Sequence, residues 1–425
     1  MANDEWRQST LGDIAQAEYG LVDGPFGSNL PASEYVPSGV PVIRGSNLSL
    51  GGLRFNEDAF VYVSEAFAQG LARSLCVPGD IIFTKKGTLG QTGIIPASSR
   101  FHKFLLSSNQ MKLSVDPTKA DPLFVYYFVS SPISQEKIIQ DSTVTGVPKT
   151  NLAYLRDFPI LVPPLEQQKA IARIVGTLDD KIELNLKLNE AMESMTQALF
   201  KSWFVDFDPV RAKAEGRDTG LPVHVAALFP DSFADSELGE IPTSWTVKRI
   251  GDLVELAYGK ALKEVDRRHG NVAVYGSNGQ IGWHDEKLVG GPGIIVGRKG
   301  NPGIVTWVPI DFFAIDTTFY VVPRTECKSL YFLFYALKGH DLASLGADSA
   351  VPGLNRNMAY LSKQLVPPST LLEAFDQQIR PLFERIQKGK LESSSLAKMR
   401  EALLPKLISG EIRLATSDRN ERESD

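Results

Sequence analysis

The most extended pattern of apolar positions along the chain lies between residues 166 and 203. Apolar and small polar residues recur there in alternating steps of four and three positions, with no internal proline. This spacing is typical of a narrow coiled-coil seam and predicts one helix of about 57 Å, at about 1.5 Å per residue. The seam positions are Ile171, Val175, Leu178, Ile182, Asn185, Asn189, Met192, Thr196, Leu199 and Trp203. Two asparagines in mid-seam lower the stability of a coiled coil but fix its register.

A weaker seam with the same spacing follows 204 positions later. Its positions are Phe375, Ile379, Leu382, Ile386, Gly389, Ser393, Leu396, Arg400, Leu403 and Leu407. Pro381 is expected to start or kink this second helix, because proline lacks a backbone N–H. Since a seam on one helix requires a partner, we expect the two helices to pair as an antiparallel coiled coil.

The rest of the chain also repeats. Trp6, Leu11-Gly12-Asp13-Ile14 and Tyr19-Gly20 recur 239 positions later as Trp245, Ile250-Gly251-Asp252-Leu253 and Tyr258-Gly259. Gly-Ser-Asn at 45–47 returns at 276–278, Lys86-Gly87 returns as Lys299-Gly300, and Val162-Pro163-Pro164 returns as Val366-Pro367-Pro368. The order is kept while the offset falls from 239 to 204, so the chain is a duplicated unit whose second copy has shorter loops.

Each copy begins with short runs typical of strands, such as DIIFT and QMKLSV in the first and GIIVG and TFYVVP in the second. One helical run per copy then carries matched aromatic residues, Phe124, Tyr127 and Phe128 against Tyr331, Phe334 and Tyr335. We interpret these aromatics as core rather than as a platform for stacking bases. The predicted fold class is therefore α+β, with two α/β domains of a duplicated unit joined by two long helices. The expected divisions are domains at 1–160 and 245–365, helical regions at 161–210 and 366–412, a surface connector at 211–244 and a disordered tail at 413–425.

Composition limits the class of protein. The 425 residues include 45 basic and 50 acidic side chains, a formal net charge of −5, which argues against an ordinary nucleic-acid binder. Two distant cysteines, Cys76 and Cys327, form no disulfide framework, and the amino-terminal residues do not resemble a signal peptide, so we expect a cytoplasmic protein. No run of 18 apolar residues predicts a membrane span.

The charge is distributed unevenly along the chain. Residues 245–365 hold 14 basic and 11 acidic side chains, and residues 6–160 hold 13 of each. The acidic surplus therefore lies outside the two domains.

Catalytic constellations are not evident. The sequence contains no phosphate-binding G-x-x-x-x-G-K-[ST] loop, no dinucleotide-type glycine signature and no Asn-Pro-Pro-aromatic stretch of an amino-methyltransferase, and its five histidines are scattered. A nuclease could use Asp80 with Lys85 or Lys86, but a second acid at Glu-x-Lys spacing is missing. Asp179-Asp180-Lys181 is interpreted as a solvated face of the long helix. No metal site and no cofactor are therefore expected on this chain.

Positive charge is concentrated at loops that recur in both copies. T-K-K-G-T-L-G at 84–90 has its counterpart in G-R-K-G-N-P-G at 297–303, each between two predicted strands. A basic side chain on such a turn can reach DNA phosphates or guanine edges, although a single one is more often an ordinary hairpin tip. Asparagine and serine can read base edges, yet they also cap turns, and we leave both interpretations open. The candidate DNA-binding residues are Arg44, Ser46, Asn47, Lys85, Lys86, Gly87, Thr88, Lys103, Lys149, Ser277, Asn278, Arg298, Lys299 and Asn301.

Six stretches of the chain resemble the specificity subunits of type I restriction-modification systems. They are DGPFGSNL at 23–30, GVPVIRGSNL at 39–48, DFPILVPPLEQQKAIARIVGTLDDKIELN at 157–185, FKSWFVDFDPVRAKAEG at 200–216, LGEIPTSW at 238–245 and LLPKLISGEI at 403–412. The resemblance covers residues 6 to 412. It implies that the two α/β domains are target-recognition domains, each reading one half of a split, asymmetric site in double-stranded DNA, and that the helices set their spacing.

The same resemblance implies where the chemistry would occur. Two modification subunits would bind the helices, carry S-adenosylmethionine and methylate a flipped adenine at N6. Restriction subunits would hydrolyse ATP, translocate DNA and cut it with magnesium. The chain itself would not be an enzyme. Three alternatives stay open at this point: a specificity subunit of a type II-like restriction-methylation enzyme, a nuclease or methyltransferase with an unrecognised motif, and a coiled-coil adaptor that binds only proteins.

Overall fold

The computed structural model describes residues 6–49, 53–58, 60–142, 149–345 and 353–414. The chain divides into two compact units. The first unit combines the residues up to Leu186 with those from Leu391 onward, and the second unit is Lys187–Lys390. Both divisions fall inside long helices, so each unit contains one mixed domain and a part of each long helix.

Short strands and helices build the domain of the first unit. The strands, labelled in chain order, are β1 (Arg7–Thr10), β2 (Leu21–Asp23), β3 (Tyr35–Val36), β4 (Val40–Ile43), β5 (Val61–Val63), β6 (Leu75–Cys76), β7 (Ile81–Thr84), β8 (Thr92–Ile94), β9 (Phe104–Leu106), β10 (Gln110–Leu113) and β11 (Pro159–Val162). The helices are α1 (Leu11–Ile14), α2 (Glu65–Gly70), α3 (Pro122–Val129), α4 (Pro132–Gln140) and α5 (Leu152–Asp157). One sheet has the order β2-β10-β7-β8, a second has the order β3-β5-β4-β9-β6, and β1 pairs with β11.

The second unit repeats this plan. Its strands are β12 (Phe233–Ser236), β13 (Gly239–Pro242), β14 (Thr246–Arg249), β15 (Val254–Tyr258), β16 (Val272–Gly276), β17 (Gly279–His284), β18 (Gly293–Gly297), β19 (Val305–Val308), β20 (Phe312–Ala314), β21 (Thr318–Pro323) and β22 (Lys363–Val366). Its short helices are α7 (Asp208–Ala214), α8 (Val223–Ala226), α9 (Ile250–Leu253), α10 (Leu330–Gly339) and α11 (Arg356–Leu361). The long helices of the chain are α6 (Leu165–Phe204) and α12 (Ser369–Ile408).

Sheet order confirms the duplication. The order β15-β21-β18-β19 in the second unit is the order β2-β10-β7-β8 of the first, and β14 pairs with β22 as β1 pairs with β11. Beside these sheets, β4 runs parallel to β9, and their counterparts β16 and β20 are also parallel. The first helix of each domain begins in the same way. The Asp13 carboxylate accepts from the backbone N–H of Thr10, and the Asp252 carboxylate accepts from that of Arg249, each at 3.0 Å.

The matched aromatic residues belong to the cores. Phe124 and Tyr127 are almost fully buried in α3, where Phe128 is half-buried against the same core, and Tyr331, Phe334 and Tyr335 are buried in α10. Because their rings contact neighbouring apolar side chains rather than solvent, they cannot serve as stacking platforms. The prediction that they form core is confirmed.

Within each unit, α6 and α12 lie side by side in opposite directions. In the first unit, Asp179 contacts Arg400 and Asn185 contacts Glu392, so the partner number falls as the α6 number rises. In the second unit, Glu193 pairs with Lys390, and the rings of Phe200 and Phe375 lie 6.2 Å apart. All the seam positions are buried or half-buried: Ile171, Val175, Leu178, Ile182, Asn185, Asn189, Met192, Thr196, Leu199 and Trp203 on α6, and Phe375, Ile379, Leu382, Ile386, Gly389, Ser393, Leu396, Arg400, Leu403 and Leu407 on α12.

The prediction that Pro381 starts the second long helix is wrong. Helix α12 begins at Ser369 and continues through Pro381 to Ile408. Pro381 and Gln377 both lie on the exposed side of the helix. Because Pro381 has no backbone N–H, the Gln377 carbonyl lacks its usual helical donor. Water can donate to this carbonyl instead, so the helix continues.

The segment 211–244 is not only a surface connector. It contains most of α7, helix α8 and the hairpin of β12 and β13. Val225, Phe229 and Ile241 are buried in the core of the second unit, where the Phe229 ring lies 5.1 Å from that of Trp203. These few apolar anchors are too widely spaced to produce a periodic pattern, which is why the sequence suggested a loop.

In the part of the chain that the structure describes, no helix combines the length and the hydropathy needed to cross a membrane.

Candidate nucleic-acid interface

Two hairpin loops occupy equivalent places in the two units. Residues 85–91, the first basic loop, join β7 to β8, and residues 298–304, the second basic loop, join β18 to β19. Gly87 and Gly90 have φ of 105° and 83°, and their counterparts Gly300 and Gly303 have φ of 82° and 81°. These values lie in the left-handed region that glycine tolerates, so both loops require glycine at the same two positions. The duplication therefore extends from the sheets to the conformation of the loops.

The tips of both loops face solvent. Lys86, Gly87 and Thr88 are exposed in the first basic loop, and Lys299, Gly300 and Asn301 are exposed in the second. A distant segment meets each loop at the same point, since Lys86 forms an isolated backbone bridge with Lys149, and Lys299 forms one with Gly353. In the first unit this bridge brings exposed Lys149 next to the tip. The structure thus places together two basic residues that are 63 positions apart in the sequence.

Lys85 is held below the tip of the first basic loop. Its ammonium group lies 3.0 Å from the Asp23 carboxylate, and its side chain is 28% exposed. The backbone N–H of Lys85 donates to the Asn109 carbonyl at 2.7 Å. Lys85 therefore anchors the base of the loop, with its charge already paired.

The Gly-Ser-Asn motif of the first unit stabilises its own turn. Asn47 is fully buried, and its Oδ1 accepts from the backbone N–H of Arg44 at 2.8 Å while its Nδ2 donates to the Asn56 carbonyl at 2.9 Å. Asn47 is therefore unavailable to bases, and its predicted DNA contact is corrected to a structural role, because this turn uses both ends of the amide. Ser46 is exposed and Arg44 is half-buried beside it.

Lys103 belongs to a different part of the first unit. It directly precedes β9 in the sheet of order β3-β5-β4-β9-β6, and its ammonium group pairs with Glu65. The chain passes from one sheet to another between β8 and β9, so Lys103, a candidate DNA-binding residue, does not belong to the sheet that carries the first basic loop.

The corresponding motif of the second unit lies beside the second basic loop. Asn301 Nδ2 donates to Asn278 Oδ1 at 2.6 Å, and a Cβ atom at Gly300 would lie 3.3 Å from Ser277 Oγ. Two predicted motifs from separate segments therefore form one polar surface of Ser277, Asn278, Lys299 and Asn301. The arrangement offers several hydrogen-bond donors and acceptors that base edges could engage.

Aromatic and guanidinium groups gather behind the second basic loop. The Arg298 guanidinium lies 4.9 Å from the ring centroid of Tyr258, and the Arg356 guanidinium lies 4.8 Å from the same centroid. Sequence reasoning missed Tyr258 and Arg356 as site residues. The signal for Tyr258 was its place in the repeat opposite Tyr19, whereas Arg356 has no basic counterpart.

The acids that could have suggested catalysis are engaged in the structure. Asp80 is 3% exposed and accepts from Ser114 Oγ at 2.5 Å and from the backbone N–H of Val77 at 3.0 Å, with Lys112 Nζ at 3.5 Å. Its contacts with Lys112 and Ser114 hold the start of β7 to β10. Among the described residues, no group of three or more histidine, cysteine or acidic side chains comes together as a metal site.

Asp179 is not on a solvated face, contrary to the sequence interpretation. It lies on α6 and is 4% exposed, and its carboxylate accepts from the Tyr127 hydroxyl of α3 at 2.9 Å and from Arg400 of α12 at 2.8 Å. Burial raises the pKa of the Tyr127 phenol, and the charge of Asp179 raises it further. Its neighbour Asp180 pairs with Arg54. The partners of these carboxylates come from segments that are distant in the sequence. The periodic pattern of a single helix cannot predict such contacts.

The two cysteines are free and buried. Burial raises the pKa of the Cys327 thiol to about 12 and that of the Cys76 thiol well above its usual value. Both thiols therefore stay protonated and act as small apolar side chains.

Comparisons with known proteins identify similar sequences and a similar fold. Residues 3–194 match the family model of the type I restriction modification DNA specificity domain. The type I restriction enzyme HindI specificity subunit of Haemophilus influenzae is 26% identical, over 77% of this chain and 87% of that relative. The MjaIX specificity subunit of Methanocaldococcus jannaschii is 23% identical, over 96% of this chain and 97% of that relative. The crystal structure of a type I restriction-modification S subunit from M. genitalium matches with a TM-score of 0.64 at 19% identity, over 96% of this chain and 97% of that one, which supports the fold.

Proposed function

This chain belongs to the type I restriction-modification DNA specificity subunits, and we propose that each of its two units reads one half of a split DNA site. The observation that carries the proposal is the equivalence of the two basic loops. They join counterpart strands, share two left-handed glycines and expose a lysine at the same position, Lys86 in one unit and Lys299 in the other.

The two loops differ in the side chains around that shared lysine. Thr88 belongs to the first basic loop and Lys149 lies beside that loop, whereas Asn301 belongs to the second basic loop and Ser277 and Asn278 lie beside that one. A common scaffold with different polar groups suits the reading of two different base sequences, since base edges differ in their donor and acceptor patterns. We therefore expect the two halves of the DNA site to be unrelated in sequence.

Catalysis would belong to partner subunits. Asp80, the acid that a nuclease could have used, is engaged by the buried Ser114 hydroxyl, and Asp179 is engaged by Arg400. In the proposal, two modification subunits that bind α6 and α12 supply S-adenosylmethionine and methylate a flipped adenine at N6. Restriction subunits supply the ATP- and magnesium-dependent steps.

Mapping of methylated adenines in the host genome tests the proposal. Deletion of the gene for this chain should remove N6-methyladenine from one two-part DNA motif, and complementation with the wild-type gene should restore it. An unchanged methylation map after deletion would contradict the proposal. Methyl transfer by the purified chain alone, with DNA, S-adenosylmethionine and magnesium, would instead show that it is itself an enzyme. Chains that co-purify with it would distinguish a type I system from a type II-like enzyme.

A further inference from the structure

A pair of arginines shares one aromatic ring in the second unit. Tyr258 ends β15, Arg298 directly follows β18 and Arg356 begins α11, so three elements bring these side chains together. Both guanidinium carbons lie close to the Tyr258 ring centroid, Arg298 at 4.9 Å and Arg356 at 4.8 Å. Neighbouring rings extend the contact, since Arg298 also lies 5.9 Å from Phe319 and Arg356 lies 5.7 Å from Tyr360. Tyr258 is 49% exposed, so this cluster is at the surface.

Backbone carbonyls orient the two guanidinium groups. Arg298 donates from Nη1 to the Asp316 carbonyl at 2.9 Å, and Arg356 donates from Nη1 to the Leu256 carbonyl at 3.4 Å. A guanidinium has five N–H donors, so these contacts fix the side chains and leave further donors for a ligand. Within the described ranges, neither arginine forms an ion pair with a carboxylate, unlike Arg54 or Arg268.

Two cations on one ring repel each other, and no carboxylate of the described residues pairs with either of them. An anion that accepts from both guanidiniums would remove this repulsion, and the planar fork of arginine matches the oxygens of a phosphate. The phosphodiester of a DNA strand is the anion that the neighbouring second basic loop would bring to this point. Cation–π contacts meanwhile reduce the freedom of both side chains before the ligand arrives.

The described counterparts of these residues in the first unit do not form this arrangement. By the offsets of the repeat, Tyr19 corresponds to Tyr258, Lys85 corresponds to Arg298 and Leu152 corresponds to Arg356. Lys85 is paired with Asp23, and Leu152 carries no charge. The arginine pair is therefore a feature of the second unit and not a general consequence of the shared scaffold.

We propose that Arg298 and Arg356, held on Tyr258, form a clamp for a DNA backbone phosphate beside the second basic loop. The inference rests on the proposed DNA-reading function and assigns Arg298 to the backbone rather than to base edges. Phosphate contacts position a protein on the duplex without selecting sequence. The selection of bases then falls to the exposed groups of the loop, among them Lys299 and Asn301.

The dependence of DNA binding on salt tests this clamp in the full chain assembled with its modification subunits. Affinity for a duplex that carries the methylated motif, and for a scrambled duplex, would be measured between about 0.05 and 0.2 M salt. For Arg298→Gln and for Arg356→Gln, the slope of log affinity against log salt should become shallower by about 0.9, the value expected for one lost phosphate contact. The ratio of affinities for the two duplexes should stay within about twofold of wild type, because phosphate contacts carry no sequence information.

Matched variants distinguish loss of the clamp from a general loss of positive charge and from misfolding. Arg268 is an arginine of the same unit that already pairs with Asp285 and Glu286, so Arg268→Gln should leave the slope unchanged. Arg356→Lys keeps the charge but loses the planar fork of the guanidinium, so this variant should bind DNA more weakly with a salt slope close to that of wild type. This result would test the clamp even if Arg356→Gln did not fold. Slopes of the two glutamine variants equal to that of Arg268→Gln would overturn the clamp, as would a collapse of the affinity ratio in Arg298→Gln. If the wild-type complex did not discriminate between the duplexes, the proposed function itself would fail.

Discussion

Asp179 shows how the two units use different chemistry at one contact. In the first unit its buried carboxylate joins Tyr127 of α3 to Arg400 of α12. The counterparts in the second unit are Phe383 for Asp179, Phe334 for Tyr127 and Thr196 for Arg400. Phe383 and Phe334 pack edge to face with their ring centroids 6.0 Å apart, and Thr196 bonds instead to the Tyr335 hydroxyl. An ionic contact and an aromatic contact thus occupy the same place in the duplicated fold.

Loss of Arg400 should destabilise the first unit strongly. Arg400→Ala leaves the Asp179 charge buried beside the Tyr127 hydroxyl without its arginine partner, and breaking a buried ion pair in this way costs about 3–5 kcal/mol. For a unit of this size we expect the first thermal transition of the full chain to fall by about 6 °C or more. Circular dichroism during heating would measure the shift.

The matched control is another ion pair between the two long helices. Lys390 and Glu193 have side chains that are 57% and 55% exposed, so Lys390→Ala should cost at most about 1 kcal/mol. Equal shifts for Lys390→Ala and Arg400→Ala would show that Asp179 is not stabilised by its buried arginine.

Sequence could predict the residues of the loop tips but not the partners of buried polar groups. Lys86 and Lys299 were identified because they lie at equivalent positions of a glycine-containing turn, Lys86 in the first copy and Lys299 in the second. The pattern of such a turn is local in the sequence. Asn47 and Asp179 were misjudged because their burial depends on Asn56 and Arg400, which other segments supply. The role of Arg356 was missed for the same reason, since Tyr258 lies 98 positions earlier.

At the scale of elements, the pairing of α6 with α12 includes one polar defect opposite a glycine. Asn189 is 5% exposed, and among the described residues its side-chain amide has no hydrogen-bond partner. Gly389 faces it so closely that a Cβ atom there would lie 2.7 Å from Asn189 Oδ1. The glycine therefore makes room for the asparagine, and the two positions form one device for register within the second unit.

A double-mutant cycle at these positions should show strong coupling. Gly389→Ala alone should be neutral or destabilising, because the gain of about 1 kcal/mol in helix propensity is offset by displacement of the Asn189 amide. In Asn189→Ala/Gly389→Ala no amide remains to collide with the added methyl group, so the gain in helix propensity is realised and the double variant should be more stable than Asn189→Ala by about 1 kcal/mol. Urea unfolding of the four chains would measure the coupling.

An exposed neighbour on the same helix gives the reference for this cycle. Lys388→Ala should change stability by no more than about 0.5 kcal/mol. Additive effects of the two substitutions at 189 and 389 would mean that the glycine does not accommodate the asparagine.

Elements with a sustained period were predictable, and elements without one were not. The four-and-three spacing of Ile171, Val175 and Leu178 predicted α6, and the repeat at an offset of 204 predicted its partner α12. Pro381 misled the prediction for α12, because the tolerance of a helix for proline depends on whether the freed carbonyl faces water. The hairpin of β12 and β13 and helix α8 were missed, since their few apolar anchors are buried by contacts with Trp203 and its neighbours.

At the scale of the whole molecule, duplication explains how an acidic chain can read DNA. The formal net charge is −5, yet the two domains together are not acidic, and exposed lysines lie at equivalent loop tips in both. Because electrostatic attraction is screened within about 10 Å at ordinary salt, the local charge at the tips matters more than the total. Partner subunits can then supply further contacts to the phosphates.

Separate reading by the two units predicts that a loop substitution relaxes only one half of the DNA motif. In a host that lacks the native gene, a chain with Lys86→Ala should restore methylation at sites in which one block of bases is degenerate and the other is intact. Lys299→Ala should relax the other block, because the loss of a direct base contact weakens discrimination by about 1–3 kcal/mol at the positions concerned.

Lys137→Ala and Lys287→Ala are matched controls, since both lysines already pair with carboxylates, and they should leave the methylation map unchanged. Sequencing of N6-methyladenine across the genome measures all four variants against wild type. Relaxation of the same block by Lys86→Ala and Lys299→Ala would contradict the assignment of one half of the site to each unit.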